Sequence, residues 1–335
     1  MYEHYIALDW SKNNMAIARV TKKGKKVNVE DIPSNISYLK DYLKSLKGKK
    51  ILTFEESTSS QWLYSELRYC VNKLLVCDPY RNRLLSEGAK NDKIDATKLV
   101  RLSQAGLLKE VYHSGKDFIY LRKLVSGYND VVKSIVRLKN QRSAVFASVG
   151  LDHKKDEFSP VPACDDFVLF RSKQLLALHE KVKGEYIKEF KKLSMKHKEM
   201  RLLKSIPGIS DIHAVQIMAA VVDIGRFPSK GHFLSYCGLI KHEKISGGRS
   251  YGRKSSRCYR PLKQIFKMAS HSVTQNRCNN SLKGLYEYYI EKKPALMAKH
   301  NVSRKLAILV YGVLKSGKKY DPNRREKELR EKNKK

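Results

Sequence analysis

Short apolar runs alternate with polar turns over the first 110 or so residues of the chain. The runs at 5–9, 15–20, 26–30, 51–55 and 74–78 have the length and β-branched content of strands. Helical spacing of apolar residues predicts helices at about 37–45, 61–72 and 93–104. Three strands in a meander, followed by helix and strand in alternation, predict a mixed α/β sheet.

Between residues 115 and 200 the apolar positions recur at helical spacing among many charges. Leu121 and Leu124 lie on one such stripe, and Leu175 and Leu178 lie on a second, which predicts a long helix from about 166 to 203. A loop with Pro160 separates the two helices. This pattern is typical of an antiparallel or intermolecular coiled coil, which would space domains or join protomers.

The remainder of the chain is predicted to be mainly helical. Residues 202–218 form a helix, a Pro207-Gly208 turn and another helix, which fits a helix-hairpin-helix or a plain αα-hairpin equally well. In the first case the turn amides can receive a backbone phosphate. Further helices are expected at 227–239, 260–271 and 303–314. The chain thus divides into an α/β domain (1–114), a helical linker (115–200), a mainly α domain (201–321) and a basic tail (322–335).

The charge balance points to a polyanionic partner. Lys and Arg number 68 against 33 acids, giving a formal net charge of +35 spread over 335 residues. Such an excess suits a nucleic acid, since phosphates neutralised by protein cations release their counterions. No apolar run reaches the 18 residues of a membrane span, the start lacks a signal-peptide pattern, and the six cysteines lack zinc-ligand spacing. We therefore expect a soluble cytoplasmic protein without a membrane partner.

Four acids occupy positions that could form a metal site. Asp9 and Glu55 each end a predicted strand, where the sites of open α/β sheets gather. Asp92 and Asp95 lie three apart at the start of a predicted helix, hence on one face. Any one of them alone is more simply a solvated carboxylate. Together they can supply the oxygen ligands that Mg²⁺ or Mn²⁺ prefers.

A glycine- and arginine-rich segment at 245–257 offers candidate nucleophiles. It has little apolar content, so we expect a flexible loop that contacts phosphate. A sharper interpretation is that one of its serines attacks a phosphodiester, with the cations stabilising the charge that develops. Spacing does not choose among Ser246, Ser250, Ser255 and Ser256.

Taken in order, these stretches resemble the DEDD-type insertion-sequence transposases, the IS-one-ten family, which has Piv-like DNA invertases as relatives. The stretches that carry the resemblance are YIALDWSK, LTFEES, KNDKIDA, SIPGIS, FLSYCGL with ISGG after it, and RKLAILVYGVLKSGKKYD. The resemblance implies a RuvC-like (RNase H-like) N-terminal domain, a coiled-coil linker and a C-terminal transposase domain.

The resemblance also implies the site residues. The family's acidic tetrad corresponds to Asp9, Glu55, Asp92 and Asp95, with Glu56 as the neighbouring alternative to Glu55. Its nucleophilic serine, which precedes a glycine, corresponds to Ser246. The sequence departs from the family at SSRCYRPLK, where a Ser-Lys-x-Gly-Asn-like element is common, and at position 91, where an asparagine replaces a common threonine.

The implied activity is recombination of donor and target DNA through a covalent phosphoserine link, with Mg²⁺ on the tetrad. The family's acids and serine come from different protomers of a tetramer, and a structured bridge RNA pairs with both DNAs. Such a bacterial protein would associate with the nucleoid when acting. The alternatives are a metal-dependent RuvC-like nuclease such as a Holliday-junction resolvase, a non-catalytic nucleic-acid-binding protein, and an RNA-independent DNA invertase.

Overall fold

The structure is a computed structural model that describes residues 2–82, 91–113, 117–154, 161–255, 257–275 and 280–323. The chain divides into two compact units, an N-terminal unit (Met1–Ile119) and a C-terminal unit (Tyr120–Lys335). Sequence patterning instead set off residues 115–200 as a separate linker, and that subdivision stays a prediction.

A five-stranded mixed sheet forms the centre of the N-terminal unit. The strands are β1 (His4–Trp10), β2 (Asn14–Thr21), β3 (Asn28–Pro33), β4 (Lys50–Glu55) and β5 (Lys73–Cys77). Their order in the sheet is β3-β2-β1-β4-β5. The first three strands pair antiparallel, whereas β4 runs parallel to β1 and β5 parallel to β4. The predicted mixed α/β sheet is confirmed.

Alternation of side chains along the strands sorts the core onto two faces of this sheet. The helices of the unit are α1 (Ile36–Ser45), α2 (Ser60–Leu67), α3 (Pro79–Asn82) and α4 (Asp92–Gln104). Leu8 and Phe54 pack in one apolar cluster with residues of α1 and α2, while Ala7 and Ile51 pack on the opposite face with residues of α4. Since successive strand residues change faces, Asp9 and Glu55 fall on the face that α4 covers.

The C-terminal unit is mainly helical, as predicted. Its helices are α5 (Asp117–Ser148, which starts just before the division), α6 (Ala163–Lys196), α7 (Lys198–Leu203), α8 (Asp211–Val221), α9 (Lys230–Tyr236), α10 (Arg260–Val273), α11 (Ser281–Ile290) and α12 (Ala295–Ser316). A 3₁₀ turn occupies Ile224–Arg226, and two strands, β6 (Lys241–Ser246) and β7 (Arg249–Ser255), pair antiparallel.

Helices α5 and α6 contact each other at two places along part of their length. The Tyr128 ring lies 6.2 Å from Tyr186 and 5.2 Å from Phe190 (centroid to centroid), and farther along Lys139 pairs with Glu180 at 3.2 Å. Because later residues of α5 meet earlier residues of α6, the helices run antiparallel. This is one of the two arrangements that the sequence left open.

Three sequence-based expectations for the C-terminal unit are wrong. The segment 245–257, expected to be a flexible loop, is instead part of the β6–β7 hairpin as far as it is described. The single helix expected at 166–203 is interrupted at His197, whose backbone is extended (ψ 127°). Helix α11 was not predicted, and α12 begins eight residues before the expected 303. Among the described helices none is both long and apolar enough to cross a membrane.

Candidate functional site

Two of the predicted site residues lie at the carboxyl ends of adjacent parallel strands, Glu55 as the last residue of β4 and Asp9 one residue before the end of β1. In the pairing of β1 with β4, Leu8 lies opposite Phe54, so the next residues, Asp9 and Glu55, stand side by side at the carboxyl ends of the two strands. Both carboxylates belong to the α4 face of the sheet. The strand-end placement expected from sequence is therefore found.

Helix α4 brings the other two acids to the same end of the sheet. The side chain of Asn91 caps the helix by accepting a hydrogen bond from the Lys93 amide at 3.0 Å, and Asp92 and Asp95 occupy the first turn. Carboxylates are favourable there because the helix N-terminus carries partial positive charge. At the other end, Gln104 donates to the carbonyl of Thr21, which pairs with the first residue of β1. The helix N-terminus must therefore lie toward the carboxyl end of β1.

Three of the carboxylates act electrostatically on the fourth, Asp9. The pKa of Asp9 is raised from 3.8 to about 6, first by burial and then by the negative charges of Asp92, Asp95 and Glu55. The other three residues of the predicted tetrad are thus close enough to Asp9 for their charges to act on its half-buried carboxyl group. An acid whose pKa is raised by burial and by nearby like charges is typical of functional sites.

The four carboxylates are suitable ligands for a hard divalent cation, but their side chains lie too far apart to bind one ion together. Among the described residues, no three His, Cys, Asp or Glu side chains stand close enough to hold a metal ion. Mutual repulsion is a sufficient physical reason, because carboxylates spread apart unless a cation neutralises them. Their chemistry, all oxygen and all anionic, is that of Mg²⁺ and Mn²⁺ sites.

Glu56, the alternative to Glu55, has a different partner. Its Oε2 lies 3.2 Å from Nε2 of His113, whose side chain is only 3% exposed. The His113 ring also packs against Tyr64 at 5.3 Å, and its Nδ1 lies 3.1 Å from the carbonyl oxygen of Val111. Glu56 thus pairs with a nearly buried histidine that no sequence pattern had indicated.

Ser246 ends β6 at the tip of the exposed hairpin. It pairs with Arg249 across the two-residue turn of Gly247 and Gly248, whose φ angles are +53° and +74°. Positive φ at both turn residues is the conformation of a type I′ hairpin turn, which glycine adopts without strain. Ser246 and Arg249 thus lie directly opposite each other, so their side chains project from the same face of the hairpin.

The other candidate serines are placed differently. Ser250 donates a hydrogen bond to Glu243 across the hairpin at 2.9 Å. Ser255 lies opposite Lys241 at the base of the hairpin, and Ser256 lies outside the described residues. Ser246 is the one described candidate that adjoins the glycine turn.

Aromatic and sulfur groups hold the base of the hairpin. The rings of Tyr236 and Tyr259 stack 5.8 Å apart, and the Tyr259 amide donates to the Tyr236 carbonyl at 2.8 Å. A Cβ on Gly238 (φ +68°) would lie 2.5 Å from the sulfur of Cys258, so no side chain fits at that position. Cys258 and Tyr259 belong to the stretch that departs from the family pattern, SSRCYRPLK. They contact the base of the hairpin, and Arg260, which follows them, begins α10.

Comparison with known proteins agrees with these features. A curated relative from Sinorhizobium fredii (strain NBRC 101917 / NGR234), named "Putative transposase y4qE", is 23% identical over 267 residues. The match covers 73% of this chain and 65% of the relative, so the chain spans about two thirds of the length of that protein.

Two family models match successive parts of the chain. The DEDD transposase of IS110, described as "Transposase", matches residues 6–150, which include Asp9, Glu55, Asp92 and Asp95. The Transposase IS116/IS110/IS902 family matches residues 200–287, which include Ser246. Both models describe the same group of proteins, the one named IS-one-ten above, and they occur in the order of the two units. The chain belongs to the IS110 family of transposases.

Proposed function

We propose that this protein is the DNA transposase of an insertion sequence, and that it cuts and rejoins donor and target DNA. The observation that carries the proposal is the gathering of Asp92, Asp95 and Glu55 around Asp9 at one end of the sheet. The strand order β3-β2-β1-β4-β5, with an antiparallel meander followed by parallel strands, supports a RuvC-like fold for the N-terminal unit.

The four carboxylates would hold Mg²⁺, or Mn²⁺ in its place. When bound, the metal supplies Lewis-acid stabilisation of the charge that develops on phosphate oxygens. Without it, the anionic cluster would repel a DNA backbone. The half-buried Asp9 is the carboxyl group that gains most from a cation, because burial and three like charges all disfavour its ionised form.

Ser246 would be the nucleophile. Its Oγ loses a proton and attacks phosphorus, forming an Oγ–P ester while one P–O bond to deoxyribose breaks and the departing oxygen takes up a proton. A hydroxyl of another DNA end reverses the step and restores the serine. The hairpin carries Arg249, Arg253 and Lys254 close by in sequence, which would offset phosphate charge.

The charge and shape of the hairpin and the exposed apolar surface of α6 support the proposed partners. An all-exposed β-ribbon rich in Lys and Arg has the form of an element that enters a nucleic-acid groove. The bridge RNA rests on the family resemblance and on the net charge of +35. Assembly into a tetramer is supported by exposed apolar side chains in the first half of α6, namely Phe167, Phe170, Leu175 and Leu178, which a second copy of the chain would cover.

The experiment that tests the function is recombination of a donor–target plasmid pair. We expect wild-type protein to recombine the pair, Ser246→Ala and Asp92→Asn to lose activity by at least 100-fold, and the matched control Ser250→Ala to keep it. If Asp92→Asn recombines normally, the metal-site assignment is excluded. Cleavage of branched DNA that survives in Ser246→Ala would favour a RuvC-like nuclease instead.

The RNA partner needs its own measurement. Sequencing the RNA that copurifies with the protein should give one structured non-coding RNA, with segments complementary to donor and target. Recombination by RNA-depleted protein at full rate would support an invertase-like enzyme that works without a guide.

A further inference from the structure

A cluster of five basic side chains lies where the β6–β7 hairpin joins the helices of the C-terminal unit. We call it the basal cationic cluster. Its members come from three elements: Lys241 from β6, Lys263 and Lys267 from α10, and His300 and Arg304 from α12. In each helix the two members are four residues apart and so share one face.

Contacts between the helices and at the hairpin base, rather than ion pairs among its members, bring the cluster together. Within the described part of the chain, none of the five side chains forms an ion pair or a hydrogen bond with another residue. Helices α10 and α12 are joined by a buried hydrogen bond from Ser303 to Ser270 at 2.9 Å. Lys263 also packs at the hairpin base, with Cδ 3.4 Å from where a Cβ on Gly238 would lie.

The four lysine and arginine charges disfavour the protonated form of His300. The pKa of His300 is lowered, first by partial burial and then by the charges of Arg304, Lys263, Lys267 and Lys241. Assembling four permanent cations around a half-buried imidazole without an acid costs stability in the free protein. An anion bound there would remove that cost, and it would accept hydrogen bonds from several donors at once.

We propose that the basal cationic cluster binds a backbone phosphate of the DNA on which Ser246 acts. This inference rests on the proposed function and adds a second DNA contact to it. Lys241 and Ser246 are the two ends of β6, five residue steps apart, which is about 16 Å at ~3.3 Å per residue. On duplex DNA that span corresponds to roughly five base pairs at ~3.4 Å each. The cluster therefore binds DNA that flanks the cleavage site. This contact positions the hairpin relative to the scissile phosphate.

The test compares two double variants of the full chain. Lys263→Gln/Lys267→Gln removes two charges from the cluster, whereas Lys181→Gln/Lys188→Gln removes two exposed lysines of α6 as the matched control. Binding to a duplex oligonucleotide is measured by fluorescence anisotropy at several salt concentrations in EDTA. The readout is equilibrium binding rather than cleavage, so it does not depend on whether Ser246 is the nucleophile.

We expect the cluster variant to bind duplex DNA about 10-fold more weakly, equally for unrelated sequences, with a slope of log affinity against log salt smaller by about 1 to 2. The control should change less than 2-fold. The cluster variant should also unfold at the same or a higher temperature, because like charges have been removed. Binding equal to that of the control would overturn the proposal, and so would a loss confined to single-stranded RNA.

Discussion

At the scale of single residues, Asp9 combines partial burial with the negative charges of three neighbouring acids. Its pKa is 3.8 in an unfolded chain and about 6 in the folded protein. The folded state therefore binds the proton more tightly, and the stability of the metal-free protein falls as pH rises between these two values. Above pH 6 Asp9 is ionised and lowers the free energy of unfolding by its full amount. A bound cation would restore that stability.

This linkage predicts the behaviour of Asp9→Asn. In EDTA at pH 8 the variant should be more stable than wild type by about 1–2 kcal/mol, after allowance for the partial exposure of Asp9. The difference should vanish near pH 4. Addition of Mg²⁺ should raise the unfolding temperature of wild type and not that of the variant. Thermal denaturation across pH measures all three effects, and a variant less stable than wild type at pH 8 would contradict them.

Glu55 and Glu56 form a second matched pair of predictions. Glu55→Gln should reduce recombination by at least 100-fold, because it removes a carboxylate beside Asp9. Glu56→Gln should keep recombination but lower the free energy of unfolding by about 1 kcal/mol, since the nearly buried His113 loses a charged partner. The reverse result, inactive Glu56→Gln and active Glu55→Gln, would transfer the site role to Glu56.

The acid positions were predictable from sequence because two simple rules suffice. Strand alternation and strand ends place Asp9 and Glu55, and the helical period places Asp92 with Asp95. His113 was not predictable, because its contact with Glu56 depends on how distant segments of the fold meet. A lone histidine in a loop carries no pattern that indicates a partner.

At the scale of elements, the β6–β7 hairpin differs most from expectation. Its 13 strand residues are all exposed, so neither face carries the apolar alternation by which strands are recognised in sequence. The two-glycine turn was the available signal, since Gly-Gly between short strands is a known hairpin turn. The break at His197 between α6 and α7 likewise lacks a proline or glycine that would have marked it.

The turn conformation gives a prediction at this scale. Gly247→Asn should keep recombination within about 3-fold of wild type, because asparagine tolerates positive φ, whereas Gly247→Val should lose at least 10-fold. The unfolding temperature should stay near that of wild type for Gly247→Asn and fall for Gly247→Val, because valine is strained at φ +53° even though a Cβ there meets open space. Equal activity of the two variants, measured on the plasmid pair, would show that the turn geometry does not position Ser246.

At the scale of the whole molecule, charge and exposed apolar surface indicate partners of different kinds. The net charge of +35 suits nucleic acid. The exposed apolar side chains of α6 suit another protein surface. Leu175 and Leu178 are each about half exposed, although burying one leucine is worth roughly 1.5–3 kcal/mol.

The proposed assembly predicts the effect of charging this surface. Leu175→Lys/Leu178→Lys should shift the protein from the tetramer to a smaller species in light scattering, while the matched control Gln174→Lys/Ala177→Lys, on exposed neighbours, should not. Both variants add the same charge, so a shift in both would indicate repulsion rather than loss of apolar contact. A tetramer that persists in the leucine variant would contradict the assignment of this surface.

In the proposed reaction a serine of the hairpin forms a covalent bond to DNA, and the acidic cluster is required for that step. The most direct measurement is mass spectrometry of the peptide that carries DNA after reaction with a labelled substrate and denaturation. We expect a nucleotide phosphate on Ser246 in wild type, and no adduct in Ser246→Ala or Asp92→Asn. An adduct on another residue, or one that persists in Ser246→Ala, would contradict the account.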